Sequence, residues 1–259
     1  MNVSELSIKE IRERIKKLDE VPLDFLQFLK EDKRKGVQEL VRQVEAVQAR
    51  RRNLKMQWEE MTRYERMLRG KGCVRVFGID EAGRGPLAGP VVAGAVCLRE
   101  DFFLPGLNDS KKLSPAAREE YFEVIMREAA AVGIGIVEAA RIDEINILAA
   151  TREAMRLAIE NAGLMPDACL IDAVELPGLN CTQLPLIGGD GKSVSIAAAS
   201  VVAKVTRDRI MAEYAREYPV YGFEKNAGYG TAEHLAAIAR FGPSPIHRRS
   251  FAGVKERIR

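Results

Sequence analysis

The sequence predicts an α/β fold: a mixed β-sheet flanked by helices, with a small helical extension at the N-terminus. Three observations carry it. Apolar residues recur at helical spacing through the first 70 residues; after Gly72 the pattern changes to short runs rich in Val, Ile and Phe; and from Ser114 onward such runs alternate with helical stretches.

In the extension, Leu6, Ile8, Ile11, Ile15 and Leu18 form one apolar stripe and Val37, Leu40, Val41, Val44 and Val47 a second, punctuated by Pro22 and Gly36. A third helical stretch, 49–69, carries Arg50, Arg51 and Arg52, then Trp58 and Tyr64, and Gly70-Lys71-Gly72 reads as the hinge. Beyond it, 74–79 and 90–98 read as strands, and Ser114-Pro115 is a helix start with proline at the first helical position, running to about Ala131. A strand over 132–137, an amphipathic helix over 151–162 and a short buried strand over 168–171 follow, the last ending at Asp172. A weaker strand over 184–187 precedes the longest helix, from Ser193 to about Glu217, whose small-residue face of Ala197, Ala198, Ala199 and Ala203 suits close packing on a sheet. The chain shows neither internal repeats nor low-complexity tracts.

The 259 residues allow one dominant core with an appendage. The net charge of +3 is unevenly placed: residues 1–70 carry 17 Lys and Arg against 13 Asp and Glu, and residues 71–259 carry 23 against 24. A basic appendage beside a neutral body is compatible with a polyanionic partner or with a solvated helix face. A second basic cluster closes the chain, where Arg240, Arg248, Arg249, Lys255, Arg257 and Arg259 face only Glu256. Cys73, Cys97, Cys169 and Cys181 include no Cys-x-x-Cys pair and read as buried thiols. The N-terminus is charged and polar from Glu5 to Glu20 and no apolar stretch approaches a membrane span, so a soluble, cytoplasmic protein is expected. Of the two histidines, His234 reads as a structural residue on a helix, while His247, beside Arg248 and Arg249, reads as more open to a functional role.

The densest chemistry lies at Gly78-Ile79-Asp80-Glu81-Ala82-Gly83-Arg84-Gly85-Pro86, where an apolar run ends in two carboxylates followed by a glycine-rich turn. Asp172 follows its own apolar run in the same way, and Asp190 stands in the turn Gly188-Gly189-Asp190-Gly191 that opens the longest helix. If the strands are neighbours, Asp80, Glu81, Asp172 and Asp190 share one cleft. Four carboxylates so placed repel one another unless cations neutralise them, and an all-oxygen ligand set favours Mg²⁺ or Mn²⁺. Such a site suits phosphodiester hydrolysis. Two other motifs fail. Gly191-Lys192-Ser193 resembles the end of a P-loop, but the glycine required at position 186 is Leu186; Gly83 to Ala88 fits a loose dinucleotide fingerprint, but Pro86 and the strand after it deny it a helix.

Several ordered blocks together resemble one family, bacterial ribonuclease H type 2, or RNase HII. They are GIDEAGRGPLAGP (78–90), NDSKKL (108–113), Ile171-Asp172, Gly189-Asp190, IAAASVVAKVTRD (196–208), GYGT (228–231) and HRRSF (247–251), and they span roughly residues 73–250. The resemblance implies an RNase H-like fold, hydrolysis of the RNA strand of RNA–DNA hybrids, and incision 5′ of single ribonucleotides in duplex DNA by a monomer. It also implies that Asp80, Glu81, Asp172 and Asp190 are the catalytic and metal-binding acids. By the same resemblance Gly83, Arg84 and Gly85 read the ribose 2′-hydroxyl, Tyr229 senses the adjoining deoxyribose, and Ser110 and Lys111 contact substrate. A reader of the 2′-hydroxyl is the device that separates RNA from DNA. Residues 1–70 are then a helical extension aiding substrate binding, and residues 71–259 the catalytic domain with a basic C-terminal segment. Two alternatives stand beside this reading: the sister type RNase HIII, whose glycine-rich loop usually departs from Gly-Arg-Gly, and a catalytically dead nucleic-acid-binding protein, against which the acid quartet argues.

Overall fold

The computed structural model describes residues 6–18 and 20–257, so Glu5 and Arg259, both named above, lie outside the described residues. Packing divides the chain into two compact units, Met1–Gln57 and Trp58–Arg259.

The first unit contains α1 (Ile8–Lys16), α2 (Leu23–Glu31) and most of α3 (Lys35–Met61). A capping box starts α1: the Ser7 hydroxyl accepts the amide of Glu10, and the Glu10 carboxylate accepts the amide of Ser7 at 2.8 Å. The core joins Ile11, Val21, Leu26, Leu29, Val37, Leu40, Val41 and Val44. Val47, assigned to that stripe by spacing, is exposed, and Gln48 is buried in its place, donating to the Val21 carbonyl at 2.8 Å.

In the second unit the strands are β1 (Val76–Ala82), β2 (Val91–Cys97), β3 (Ala131–Val137), β4 (Ala168–Asp172) and β5 (Thr182–Leu186). They lie in the order β3-β2-β1-β4-β5; β1 pairs antiparallel with β2, as β2 does with β3, whereas β1–β4 and β4–β5 are parallel. The sheet is therefore mixed, as expected. The helices of this unit are α4 (Arg63–Arg69), α5 (Pro115–Glu128), α6 (Ala139–Ile145), α7 (Ile147–Asn161), α8 (Val194–Glu217), α9 (Phe223–Asn226) and α10 (Ala232–Phe241). Ser114 caps α5 and Ser193 caps α8 through their hydroxyls. Helix α6 has no counterpart in the sequence reading, because seven residues hold too few turns for a period to register.

One sheet face is covered by α7, with Phe77, Ile79, Ala93, Ala95, Cys169 and Ile171 facing Ala154, Met155 and Ala158. The other is covered by α8, whose Ala197, Ala198 and Ala199 are buried as the small-residue face required. The approach of α8 is closest at Gly78, where any Cβ would overlap the backbone of Ser195 and Ile196.

The division of the chain falls earlier than the glycine hinge at 70–72 suggests. Trp58 packs against Phe102 and Phe103, and Met61 joins the core under α8. Leu68 packs with Val76, Leu170 and Ile196. The buried Glu65 accepts from the Ser193 hydroxyl at 2.5 Å and the Ser195 amide at 3.0 Å. Residues 58–69 are thus structural parts of the second unit.

Beyond α8, both histidines are buried, His234 at 0% and His247 at 1% exposure. Their rings lie against Tyr221 and Phe223. The partners assign the tautomers. His234 Nδ1 faces the Tyr229 carbonyl at 2.8 Å and must donate; His247 Nδ1 accepts the Ser244 amide at 2.9 Å; so His247 Nε2 donates to His234 Nε2 at 3.0 Å. Both rings are neutral in this relay. Among the four cysteines, all are free thiols and only Cys97 and Cys169 are fully buried; Cys73 and Cys181 are half-buried. No helix among the described residues is long and apolar enough to cross a membrane.

Two outcomes follow from this packing. Removing residues 1–57 should leave a cooperatively folding protein, whereas removing residues 1–70 strips Trp58, Met61, Glu65 and Leu68 from the second unit and should cost several kcal/mol, read by urea unfolding of the two truncations. The second concerns pH. Burial, then the neighbouring His234, pulls His247 down to about 4. A depressed histidine leaves the unfolded chain binding the proton first, so stability is full above the unfolded value and falls as pH drops toward 4. Between pH 7 and pH 5 the wild type should lose about 2 kcal/mol more than His247→Gln in denaturant titrations.

Candidate active site

The acids are assembled by sheet register. On β1, Asp80 lies opposite Gly94 of β2; on the other side Ile79 aligns with Ile171 of the parallel β4, which sets Asp80 and Asp172 side by side. Both point to the face covered by α8. After β5 the chain turns through Gly188, in the left-handed conformation, and a single 3-10 turn over 189–191 brings Asp190 back over the same edge. The Gly189 amide donates to Asp172 at 2.8 Å, locking that turn to β4. Carboxylate oxygens of Asp80, Asp172 and Asp190 all lie within 4.8 Å of one another.

Glu81 is not part of that triad. The sequence reading ended the first strand at Ile79; β1 continues to Ala82, so Asp80 and Glu81 are successive strand residues and the pleat sends them to opposite faces. Glu81 sits at the rim, with Oε1 3.2 Å from the Arg84 guanidinium and Oε2 buried without a hydrogen-bond partner.

Electrostatics show what the cluster lacks. Asp80 is only 4% exposed, and its pKa is raised well above the ordinary carboxylate value by burial first and the charge of Glu81 second. Burial also raises Glu81. Asp190 is raised by burial and by the charges of Asp109 and Asp172. A divalent cation would reverse these penalties, and the orphaned Glu81 oxygen has no protein partner competing for it, so the residues present fit such an ion. Beside the triad stands Lys111, whose Nζ lies 3.8 Å from Asp190; burial lowers its pKa, but the carboxylates of Asp190, Asp109, Asp80 and Asp172 outweigh that and hold it above the usual lysine value.

Ser110 differs from expectation. Its side chain is 3% exposed, and its hydroxyl lies 2.9 Å from that of Ser200 on α8, the residue whose hydroxyl favours the charged form of Asp80 against its burial. Ser110 therefore lies behind the acid and not on the surface open to substrate. Arg118 holds the same turn by donating to the carbonyls of Ser110 and Leu113, each at 2.9 Å.

Beside the acids runs the Gly83–Gly85 loop. Gly83 has φ +94°, and a Cβ there would overlap the Arg207 guanidinium. Tyr229 stands next to Gly85, half exposed, on a turn whose carbonyl is held by His234. The structure thus gathers Asp80, Asp172 and Asp190 with Lys111 close by, and places Glu81, Arg84, Gly85 and Tyr229 along the adjoining rim. Sequence reasoning missed Arg207 and Arg248, both fully buried and bonded only to backbone carbonyls around this loop. A signal for Arg207 existed: it follows Ala199 and Ala203 at four-residue steps, on the helix face turned to the sheet. Arg248 belongs by position to the basic C-terminal cluster, yet it is not a surface charge.

Comparison with known proteins identifies the family. The Ribonuclease HII family profile matches residues 77–254, and the Ribonuclease HII N-terminal domain profile matches residues 7–69. Ribonuclease HII of Bacillus subtilis (strain 168) is 54% identical over 250 residues, covering 96% of this chain and 98% of that one. Among solved structures, ribonuclease H2 from Pyrococcus horikoshii OT3 matches with a TM-score of 0.60 at 26% identity, over 70% of this chain and 96% of that one. Bst-RNase HIII, solved in complex with Mn²⁺, matches with a TM-score of 0.58 at 19% identity, over 71% of this chain and 69% of that one, and so shares the fold. With a family profile over most of its length and a relative more than half identical across nearly all of it, the chain belongs to the ribonuclease HII family of ribonuclease H endonucleases.

Proposed function

We propose that this chain hydrolyses the RNA strand of RNA–DNA hybrids and incises duplex DNA 5′ of single embedded ribonucleotides, leaving 3′-hydroxyl and 5′-phosphate ends. The observation that supports it best is the convergence of three carboxylates, two buried and one half-buried, within 4.8 Å beside an exposed glycine loop and a half-exposed tyrosine. Asp80, Asp172 and Asp190, with Glu81 at the rim, would hold Mg²⁺ or Mn²⁺. Bound there, the ions supply a polarised phosphate and an acidified water. The protein's own residues do the rest. Ser200, backed by Ser110, favours the charged form of Asp80; the Gly189 amide fixes Asp172; Lys111 offers a charge to an approaching phosphate. Gly83, Arg84 and Gly85 read the ribose 2′-hydroxyl and Tyr229 stacks on the neighbouring sugar. All acids come from one chain, which supports a monomer, and four free thiols suit a reducing cytoplasm.

Cleavage of a DNA duplex holding one ribonucleotide, with and without Mg²⁺, tests the reading. Asp172→Asn should reduce turnover by roughly 1000-fold or more while duplex binding survives, since binding is shared among many phosphate contacts. Near-normal turnover of that variant at ordinary Mg²⁺ would remove Asp172 from the site.

The first unit, with Arg50, Arg51 and Arg52, serves in this reading as a substrate-binding aid. Removing residues 1–57 should then weaken duplex binding and flatten the dependence of log affinity on log salt by roughly 0.9 for each phosphate that the protein no longer neutralises. An unchanged slope would return those arginines to the role of a solvated helix face.

A further inference from the structure

The two largest fully buried side chains of this protein are Arg207 and Arg248, 1% and 0% exposed, and neither is paired with a carboxylate among the described residues. Burying two guanidinium groups without counter-charge is expensive, and the strain registers: burial, then the charge of Arg207, pulls Arg248 down to about 9. What compensates is backbone. Arg248 donates from Nε to the Gly89 carbonyl at 3.0 Å, from Nη2 to Gly89 at 2.9 Å and Gly83 at 2.6 Å, and from Nη1 to Arg84 at 2.9 Å. Arg207 donates from Nε to Pro90 at 3.0 Å, from Nη2 to Ala88 at 3.1 Å and from Nη1 to Ala227 at 3.0 Å. The segment 83–90 is therefore held from beneath by two planar forks.

The direction of these bonds matters more than their number. In a trans peptide the C=O and the following N–H point opposite ways. With the Gly83 and Arg84 carbonyls drawn inward to one guanidinium, the amides of Arg84 and Gly85 must face outward, and neither has a protein acceptor among the described residues. A cation on the carbonyl also polarises the peptide and strengthens its N–H as a donor. We propose that Arg248 is a positioning residue for substrate selection: by capturing these two carbonyls it turns the Arg84 and Gly85 amides toward the ribose 2′-hydroxyl of the strand to be cut. This rests on the proposed reading that the 83–85 loop recognises the ribose. Arg207 supports it by fixing Pro90 and filling the space that a Cβ at Gly83 would need.

The test uses the full-length protein. Arg248→Lys keeps the charge but cannot span three carbonyls with a planar fork, so turnover of a single-ribonucleotide duplex should fall roughly tenfold or more, with duplex affinity within about threefold and the Mg²⁺ midpoint unchanged. A uniform fall on every substrate with a raised Mg²⁺ midpoint, or wild-type turnover in a folded Arg248→Lys protein, overturns the proposal. Amide resonances of Arg84 and Gly85 provide a second readout, whose wild-type arm tests the ribose-reading by itself. In the wild type they should shift on adding the ribonucleotide duplex and stay put with the all-DNA duplex. Equal shifts with both duplexes defeat the ribose-reading itself. A ribonucleotide-specific shift that persists unchanged in Arg248→Lys defeats only the role of Arg248.

Discussion

The closeness of α8 to β1 at Gly78 is the constraint on which the site depends. Because residue 78 has no side chain, the helix backbone rests on the strand, and every later feature takes its position from that contact. Ser200 meets Asp80, Ser193 reaches Glu65, and Arg207 comes to lie beneath the 83–90 segment, all from one rigid element. A site borne on a helix and two strands is better defined than one borne on loops, and only Asp190 and the 83–85 loop are left to turns.

The site is also where the fold carries its largest electrostatic costs. Asp80 is buried beside other acids, and two guanidinium groups are buried without acids, a short way apart along the same chain segment. Acids held close gain affinity for divalent ions, which relieve the repulsion among them, and backbone carbonyls gathered on the two guanidinium groups offset the burial of those charges.

Much of this was legible in the residues. The strand-end placement of Asp172, the turn before α8 and the serine caps of α5 and α8 follow local rules of periodicity and capping, and the structure keeps them. What escaped was set by tertiary packing. Local pattern cannot tell that β1 runs on through Glu81, which separates Asp80 and Glu81 by the pleat. Nor can it tell that Ser110 turns inward to Ser200, or that Trp58, neighbour to three arginines in sequence, is an apolar anchor. The buried arginines were hidden for a similar reason: a charged residue in a charged segment reads as surface until the carbonyls that enclose it come from distant positions.

The buried carboxylate of Glu65 gives the decoy P-loop at Gly191-Lys192-Ser193 a different meaning. A glycine turn opening onto a long helix is a ready anion-binding site, with amides and the positive end of the helix dipole converging on one point. Here that point is filled from within: Glu65 takes the Ser195 amide and the Ser193 hydroxyl, as a phosphate oxygen would. Those two donors at the helix end are thereby taken by a carboxylate of the chain itself. The acid that occupies these donors lies before the segment matched by the family profile, so residues ahead of the catalytic domain complete the start of its longest helix.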